Sequence, residues 1–385
     1  MKILQVHNAY RQAGGEDRVA AAERELLEAH GHEVRFFGAD NDEIRGLWSH
    51  LVAAWRAPYD PGIRHRLAAL LETWRPDVVH VHNFFPLLTP AVFDACRDRG
   101  VPSVMTLHNF RLVCPGALLQ RKGAICEACL GKTPWRAVLH RCYRNSLPGT
   151  LAVARMLAYH RQRHTWDQQV DRFIVMTVFA RDKLVASGWN AGKISVKPHF
   201  STKPVGAGAV GARAGALFAG RLSPGKGVLT LLKAWSKIND PLALAGEGPL
   251  RGAVEKCGNP RIRLLGWLSP EEMSVQLWQA ACLVIPSECY ETFGMVVIEA
   301  YAHGLPVIAS RLGALAELIE DGETGLLFEA GNALDLASKV QWLLERPEEV
   351  KRIGDNARRA FAEKYTPECN YPLLLDIYRE VTGGT

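Results

Sequence analysis

The segment Gly220-Arg221-Leu222-Ser223-Pro224-Gly225-Lys226-Gly227 sets two cations on either side of a Ser-Pro-Gly turn. Arg221 and Lys226 so spaced can converge on one diphosphate, and the glycines let backbone amides join them. The G-K-[ST] spacing of a Walker loop is missing. Further on, Glu291-Thr292-Phe293-Gly294-Met295-Val296-Val297-Ile298-Glu299 carries two carboxylates eight positions apart. With a helix starting near Phe293, Glu291 lies in the loop ahead of it and Glu299 inside it. The amides of Phe293, Gly294 and Met295 then sit at the positive end of that helix. Gly14-Gly15-Glu16 offers a third such place, between a first apolar run and an amphipathic stretch, where amides can approach an anion. No G-x-G-x-x-G occurs there, which counts against a dinucleotide dehydrogenase. His108 closes the run VMTLH, with Asn109 beside it.

Four of the nine cysteines cluster as C-x11-C-x2-C-x12-C: Cys114, Cys126, Cys129 and Cys142. A C-x2-C knuckle with two flanking cysteines can close a tetrahedral thiolate site, and zinc is the metal that suits it. The segment is loop-like, with Pro115, Gly116, Gly123 and Gly131, so a structural zinc would supply the core it lacks. An iron–sulfur cluster has no supporting motif; His140 is a substitute ligand. The alternative is four reduced thiols in a loop, as a cytoplasmic chain would keep them.

These groups need elements to hold them, and the rhythm of the chain is strand, helix, strand, helix. Short apolar runs occur at Ile3–Val6, Val34–Phe37, Val78–Val81, Pro102–Leu107, Phe173–Met176 and Ile194–Val196. After a Gly/Ala/Pro-rich stretch at about 198–214 the rhythm restarts, at Ala216–Ala219, Leu242–Ala245, Ile262–Leu264, Leu283–Ile285, Val307–Ala309 and Gly325–Phe328. The alternation predicts an α/β chain of two doubly wound, Rossmann-like parallel-sheet domains. They are expected at 1–200, with a Cys-rich insert at about 111–145, and at 214–366, followed by a closing helix at 367–385 that packs back on the first. Ligands in such sheets lie outside the carboxyl ends of the strands, which predicts a cleft between the two domains.

With these elements in place, the Gly-Gly-Glu turn, GRLSPGKG, ALAGEGPL and ETFGMVVIE together resemble the GT-B glycosyltransferases of family 4, from the first strand to the closing helix. The resemblance implies a retaining enzyme with a nucleotide-diphosphate sugar as donor and no metal at the catalytic centre. By it, Arg221 and Lys226 bind the donor diphosphate and offset the charge that develops on departure. Glu291 contacts the donor sugar hydroxyls and Glu299 the ribose; amides of Phe293, Gly294 and Met295 meet sugar and phosphate. Gly14 and Gly15 lie under the diphosphate with Glu16 nearby, and His108 faces the reacting sugar. The departing phosphate helps deprotonate the acceptor, so no enzyme nucleophile is expected. Pro198-His199-Phe200 stands where members often have Asn-Gly, and Thr177 where they often have Ser. The D-x-D string Asp40-Asn41-Asp42 lies in a polar turn and is read as chance. A sugar epimerase of the same fold and a catalytically silent scaffold that binds a nucleotide sugar are the rival readings.

Charge bears on the acceptor. The net charge is +6, and residues 1–200 hold 27 Lys and Arg against 18 Asp and Glu. A basic front half suits an anionic partner such as phospholipid, a lipid diphosphate or an acidic glycan. Nucleic acid is not expected, because no motif that reads it is present. Arg136, Arg141, Arg144, Arg155, Arg161 and Arg163 interleave with Trp135, Tyr143, Leu157 and Trp166, a pattern that suits an anionic membrane surface. No run is long enough to span a bilayer and none reads as a signal peptide. The expected location is therefore cytoplasmic, peripheral on the inner face of the membrane.

Overall fold

The computed structural model describes residues 1–9, 14–43, 46–202, 204 and 213–383. Most of the expected linker at 198–214 lies outside the described residues. The chain divides into two compact units. One comprises Met1–Leu119, Glu127–Lys197 and Tyr371–Thr385; the other comprises Gln120–Cys126 and Pro198–Asn370. Residues 120–126, expected within the first domain's insert, thus group with the second unit.

The first eight strands are β1 (Lys2–Ala9), β2 (Glu33–Asp40), β3 (Val78–Asn83), β4 (Ser103–Thr106), β5 (Gln120–Arg121), β6 (Ala124–Ile125), β7 (Arg172–Val175) and β8 (Ile194–Val196). Six of them form a parallel sheet in the order β2-β1-β3-β4-β7-β8, and β5 and β6 form a separate antiparallel hairpin. Chain order reverses between β1 and β3, so the ends of those strands and the segments after them open at one edge of the sheet. β3 is buried at every residue, as a central parallel strand with helices on both faces must be. Helix Gly15–Ala29 turns Leu27 onto Ile3, Val78, Val104 and Ile174. Leu374, Ile377 and Tyr378 of the last helix, Pro367–Thr382, join the same cluster.

The second unit repeats the plan with β9 (Ala216–Ala219), β10 (Leu242–Ala245), β11 (Ile262–Gly266), β12 (Cys282–Ile285), β13 (Val307–Ser310) and β14 (Gly325–Phe328). All pairs are parallel, in the order β11-β10-β9-β12-β13-β14. Here the reversal falls between β9 and β12. The segments that leave these two neighbouring strands are the Arg221–Lys226 loop and the loop that carries Glu291. Trp235, Phe218 and Phe328 fill the core against the helices that follow β9 and β14.

Candidate active site

The two loops at the β9/β12 reversal are tied together by backbone and side chains. Gly227 has φ 69°, and a Cβ there would stand 1.7 Å from the Pro286 carbonyl oxygen, so only glycine allows the approach. The Glu288 amide donates to the Gly225 carbonyl at 2.9 Å, and Thr230 Oγ1 donates to Glu288 Oε1 at 2.5 Å. The backbone of Gly248, in the AGEGP turn after β10, lies so near Leu222 that a Cβ would come within 2.4 Å of its carbonyl oxygen. The cation-bearing loop is therefore fixed from both sides.

On this frame Lys226 Nζ donates to Glu291 Oε1 at 2.5 Å, and Ser287 Oγ donates to the same oxygen at 2.7 Å. Burial alone would lower the lysine, but the Glu291 charge outweighs it and holds the ammonium above its ordinary value. Burial would raise Glu291, yet Lys226 and the two hydrogen bonds hold its carboxyl below the usual range. Both groups are thus charged at neutral pH. Arg221 is exposed and forms no ion pair among the described residues. Helix Met295–Ala302 begins after Gly294, whose φ is 111°. The Val297 amide donates to the Gly294 carbonyl at 2.9 Å, the amides ahead of it lie at the positive end of the helix, and Glu299 lies half-buried within it. Phe293 is buried beside His199, ring centroids 5.3 Å apart. Burial pushes the Cys289 thiol up to about 11, with the Glu291 charge adding to it, so this neighbour is a neutral thiol at physiological pH.

In the first unit the reversal edge gathers Gly14, Gly15, His7, Asn8 and Asn83. The Gly14 amide donates to Asp17 Oδ2 at 2.7 Å, and His7 Nε2 lies 2.8 Å from Asp17 Oδ1. Gly15 is exposed, and a Cβ added to it would meet nothing within 4 Å; Glu16 is half-buried. Asn83 Nδ2 donates to the Asn8 carbonyl at 2.9 Å and the Leu87 amide to Asn8 Oδ1 at 2.8 Å, which pins the ends of β1 and β3 to each other. His108, half-buried at the end of β4, lies with Nε2 3.2 Å from His82 Nδ1. Thr177 caps helix Val178–Ala186, accepting from the Ala180 amide at 3.2 Å.

The structure thus brings Lys226 and Glu291 together directly and sets Arg221, Gly294 and Glu299 on the two loops and helix at the same reversal. It places His108, Gly14, Gly15 and Glu16 at the corresponding strand ends of the other unit. Ser287 and Gln120 were missed from the sequence. Ser287 follows β12 in PSE, and its only signal is a hydroxyl four residues before a key carboxylate. Gln120 comes from the β5–β6 hairpin, and its Nε2 lies where a Cβ on Gly225 would stand, 2.4 Å away; a two-residue strand gives no periodicity to read. Of the cysteines, Cys114, Cys129 and Cys142 belong to the first unit and Cys126 to the segment grouped with the second. Cys114 Sγ and Cys142 Cβ both lie within 4 Å of where a Cβ on Gly116 would stand. The metal-competent group whose ligand atoms fall within 4.8 Å of one another among the described residues is Glu23, His80 and His82, so the three first-unit sulfurs do not close a tetrahedral set in this conformation.

Comparison with known proteins gives these features a class. Two solved structures share the fold over nearly the whole chain. Anabaena Alr3699/HepE in complex with UDP superposes with a TM-score of 0.67 at 18% identity, over 98% of this chain and 99% of that one. Sucrose-phosphate synthase from Thermosynechococcus elongatus gives 0.70 at 21% identity, over 99% of each. The fold class is GT-B, the glycosyltransferase architecture of two Rossmann-like sheets. Residues 13–200 match the Glycosyltransferase Family 4 model and residues 213–346 the Glycosyl transferases group 1 model, and the chain belongs to this family of glycosyltransferases. Sulfoquinovosyl transferase SQD2 of Arabidopsis thaliana is 35% identical over 323 residues, 80% of this chain and 58% of that protein. The alpha-D-kanosaminyltransferase of Streptomyces kanamyceticus is 30% identical over 175 residues, 43% of this chain and 45% of that protein. The chain spans about half the length of the curated relatives it matches.

Proposed function

We propose that the protein is a retaining glycosyltransferase that moves a sugar from a nucleotide-diphosphate donor to a hydroxyl of a glycan or lipid-linked saccharide. The observation that carries this reading is the convergence of Lys226 and Glu291 at the β9/β12 reversal, with Arg221 exposed on the same loop. A diphosphate there takes the place that Glu291 now fills on the ammonium, while the freed carboxylate turns to sugar hydroxyls. Arg221 adds a second cation, and charge that develops on the leaving diphosphate is stabilised where it forms. Glu299 on the following helix serves the ribose, and the amides of Phe293, Gly294 and Met295 serve the sugar and phosphate. Gly14, Gly15, Glu16 and His108 keep, in the first unit, the roles that the family resemblance implies for them. UDP in the Anabaena relative supports a nucleoside diphosphate as the shared ligand. Incubation with UDP-, GDP- and ADP-sugars and release of the free nucleoside diphosphate tests it. Release from one donor supports the reading, and binding without release or transfer would favour the silent scaffold.

The acceptor reading extends to an anionic membrane surface. Leu157 and Trp166, expected to face a membrane, are core residues. Trp135 is exposed, and helix Gly46–Arg56 adds Trp48, Leu51 and Trp55, also exposed. The Arg155 guanidinium lies over the Trp55 ring at 4.9 Å, an aromatic-basic face of the kind that binds anionic lipid. No helix among the described residues is long and apolar enough to cross a membrane. Zinc at Cys114, Cys126, Cys129 and Cys142 is proposed on their spacing, and it requires the sulfurs to move together. Metal analysis of protein purified without chelator should find one zinc per chain, lost in Cys126→Ser; zinc-free wild type would remove the proposal.

A further inference from the structure

The loop that leaves β4 carries a cation that the proposed reaction does not use. The chain runs on from the strand as Leu107-His108-Asn109-Phe110-Arg111 and folds back at once. The Arg111 amide donates to Asn109 Oδ1 at 3.0 Å. The Cys114 amide donates to the Phe110 carbonyl at 2.8 Å, and the Phe110 amide to the Ala117 carbonyl at 2.9 Å. Arg111 is thereby fixed on a turn at the carboxyl end of the sheet, where α/β domains place ligands. Phe85 arrives from the neighbouring strand β3, just past its end, with its amide donating to Asn83 Oδ1 at 3.0 Å. Tyr143 comes from the segment ahead of helix Leu147–Gln162, its amide donating to Thr150 Oγ1 at 3.0 Å.

The Arg111 guanidinium lies over the Phe85 ring at 4.5 Å and over the Tyr143 ring at 5.5 Å. These two rings meet edge to face, with centroids 5.8 Å apart, so they form one aromatic wall. Arg144, exposed, lies over the same Tyr143 ring at 5.4 Å. Aromatic faces attract a guanidinium but supply no oxygen for its five N–H groups. Among the described residues no hydrogen bond or ion pair reaches the Arg111 guanidinium, and its Nη1 is buried without a partner. A buried donor left so is costly until something accepts from it. Carboxylates that could do so are scarce nearby in sequence: residues 101–170 hold ten Lys and Arg against two Asp and Glu. Both acids have cations of their own, Glu127 with Lys183 at 2.5 Å and Asp167 with His164 at 3.8 Å. Arg111 is thus a stacked, half-buried cation whose fork is still open to a ligand.

We propose that Arg111 is an anion site of the first unit that takes a phosphate group of the acceptor, with Arg144 as a second cation beside it. The guanidinium fork matches two phosphate oxygens at once. A phosphate then has a third oxygen for Arg144, which a carboxylate lacks. Arg221 and Lys226, in the second unit, are assigned to the donor diphosphate, so this phosphate is a separate group. The acceptor class that follows is a phosphorylated sugar or a saccharide linked to lipid through phosphate. The anion site stands on the first unit alone; its assignment to the acceptor rests on the transferase reading.

The test is made on the full chain with Arg221→Ala and Lys226→Ala, which removes the donor-loop cations from the measurement. With 15N-arginine in the protein, the Arg111 Nε–Hε signal, assigned from Arg111→Lys, is followed during titration. The probes are phenyl phosphate and phosphatidylcholine vesicles with and without phosphatidic acid. The signal should shift or broaden to saturation. Saturation with phenyl phosphate supports a soluble phosphorylated acceptor, and saturation with phosphatidic acid vesicles alone supports a lipid-borne phosphate. By calorimetry in the same background, Arg111→Gln should lower affinity for the responding probe by about tenfold, the scale of a charged hydrogen bond lost. Arg111→Lys, which keeps the charge without the fork, should lower it less. A signal that moves with neither probe beyond its response to sodium chloride at equal ionic strength would overturn the site, as would undiminished affinity in folded Arg111→Gln. Phosphate held at Arg111 in a protein that releases no nucleoside diphosphate from any nucleotide sugar would instead count against the transferase reading and leave the anion site standing.

Discussion

Lys226 and Lys197 are both lysines paired with a glutamate, and their surroundings give them different work. Lys226 is half-exposed on a loop at a sheet reversal, so its partner can be exchanged for a ligand anion. Lys197 is sealed within the first unit, and its bond to Glu23 at 2.6 Å has no access to solvent. A buried pair adds little net stability, but removal of one member leaves a charge without compensation. Lys197→Met should therefore destabilise the protein by about 3–5 kcal/mol, read as a lowered midpoint in urea denaturation. A midpoint equal to wild type would show that Glu23 is not held as an ion in the interior.

At the scale of elements, helix Gly46–Arg56 displays Trp48, Leu51 and Trp55 at spacings of three and four, one face of the helix. Trp48 is 78% exposed and Trp55 73%, unusual for residues that normally supply buried area. Flotation with vesicles rich in anionic lipid should carry wild type upward, and Trp48→Ala with Trp55→Ala should leave it at the bottom. Flotation unaffected by the double change would move the docking face elsewhere. This helix was not legible in the sequence. Its exposed tryptophans break the usual amphipathic pattern, and no capping signal marks its start. The strands were far clearer: Ile194–Val196, Ala216–Ala219, Leu242–Ala245 and Gly325–Phe328 were bounded to the residue. Short β-branched and aliphatic runs closed by glycine or proline leave few alternatives when both faces must be buried. The Arg221–Lys226 and Glu291 loops were legible because strand-to-helix turns place ligands. The buried cluster of Glu23, His80, His82 and Lys197 was not. Histidines two apart in an otherwise apolar strand were a signal, but only tertiary packing shows that Glu23, from a helix more than fifty residues earlier, meets them.

For the molecule as a whole, the first unit carries a cost of acidification in its buried histidines. Burial lowers His160 to about 4, and burial with the nearby Lys197 charge lowers His80 to about 3. Unfolded histidine takes up its proton near pH 6.5, while these folded sites refuse it until far lower. Their contribution to stability is therefore complete above about pH 6.5 and is lost as pH falls toward the folded values. The melting temperature should decline from pH 7 to pH 5, and His160→Asn should flatten that decline; a flat wild-type profile would contradict it. The donor loop is the centre of the proposed reaction. Its most direct test is calorimetry with UDP-, GDP- and ADP-sugars on wild type and Lys226→Ala. One donor should bind wild type and lose at least about tenfold in affinity in the variant, the scale of a charged hydrogen bond removed. Equal affinity in the two proteins, or no binding of any nucleotide sugar to wild type, would contradict the assignment of this loop to the donor diphosphate.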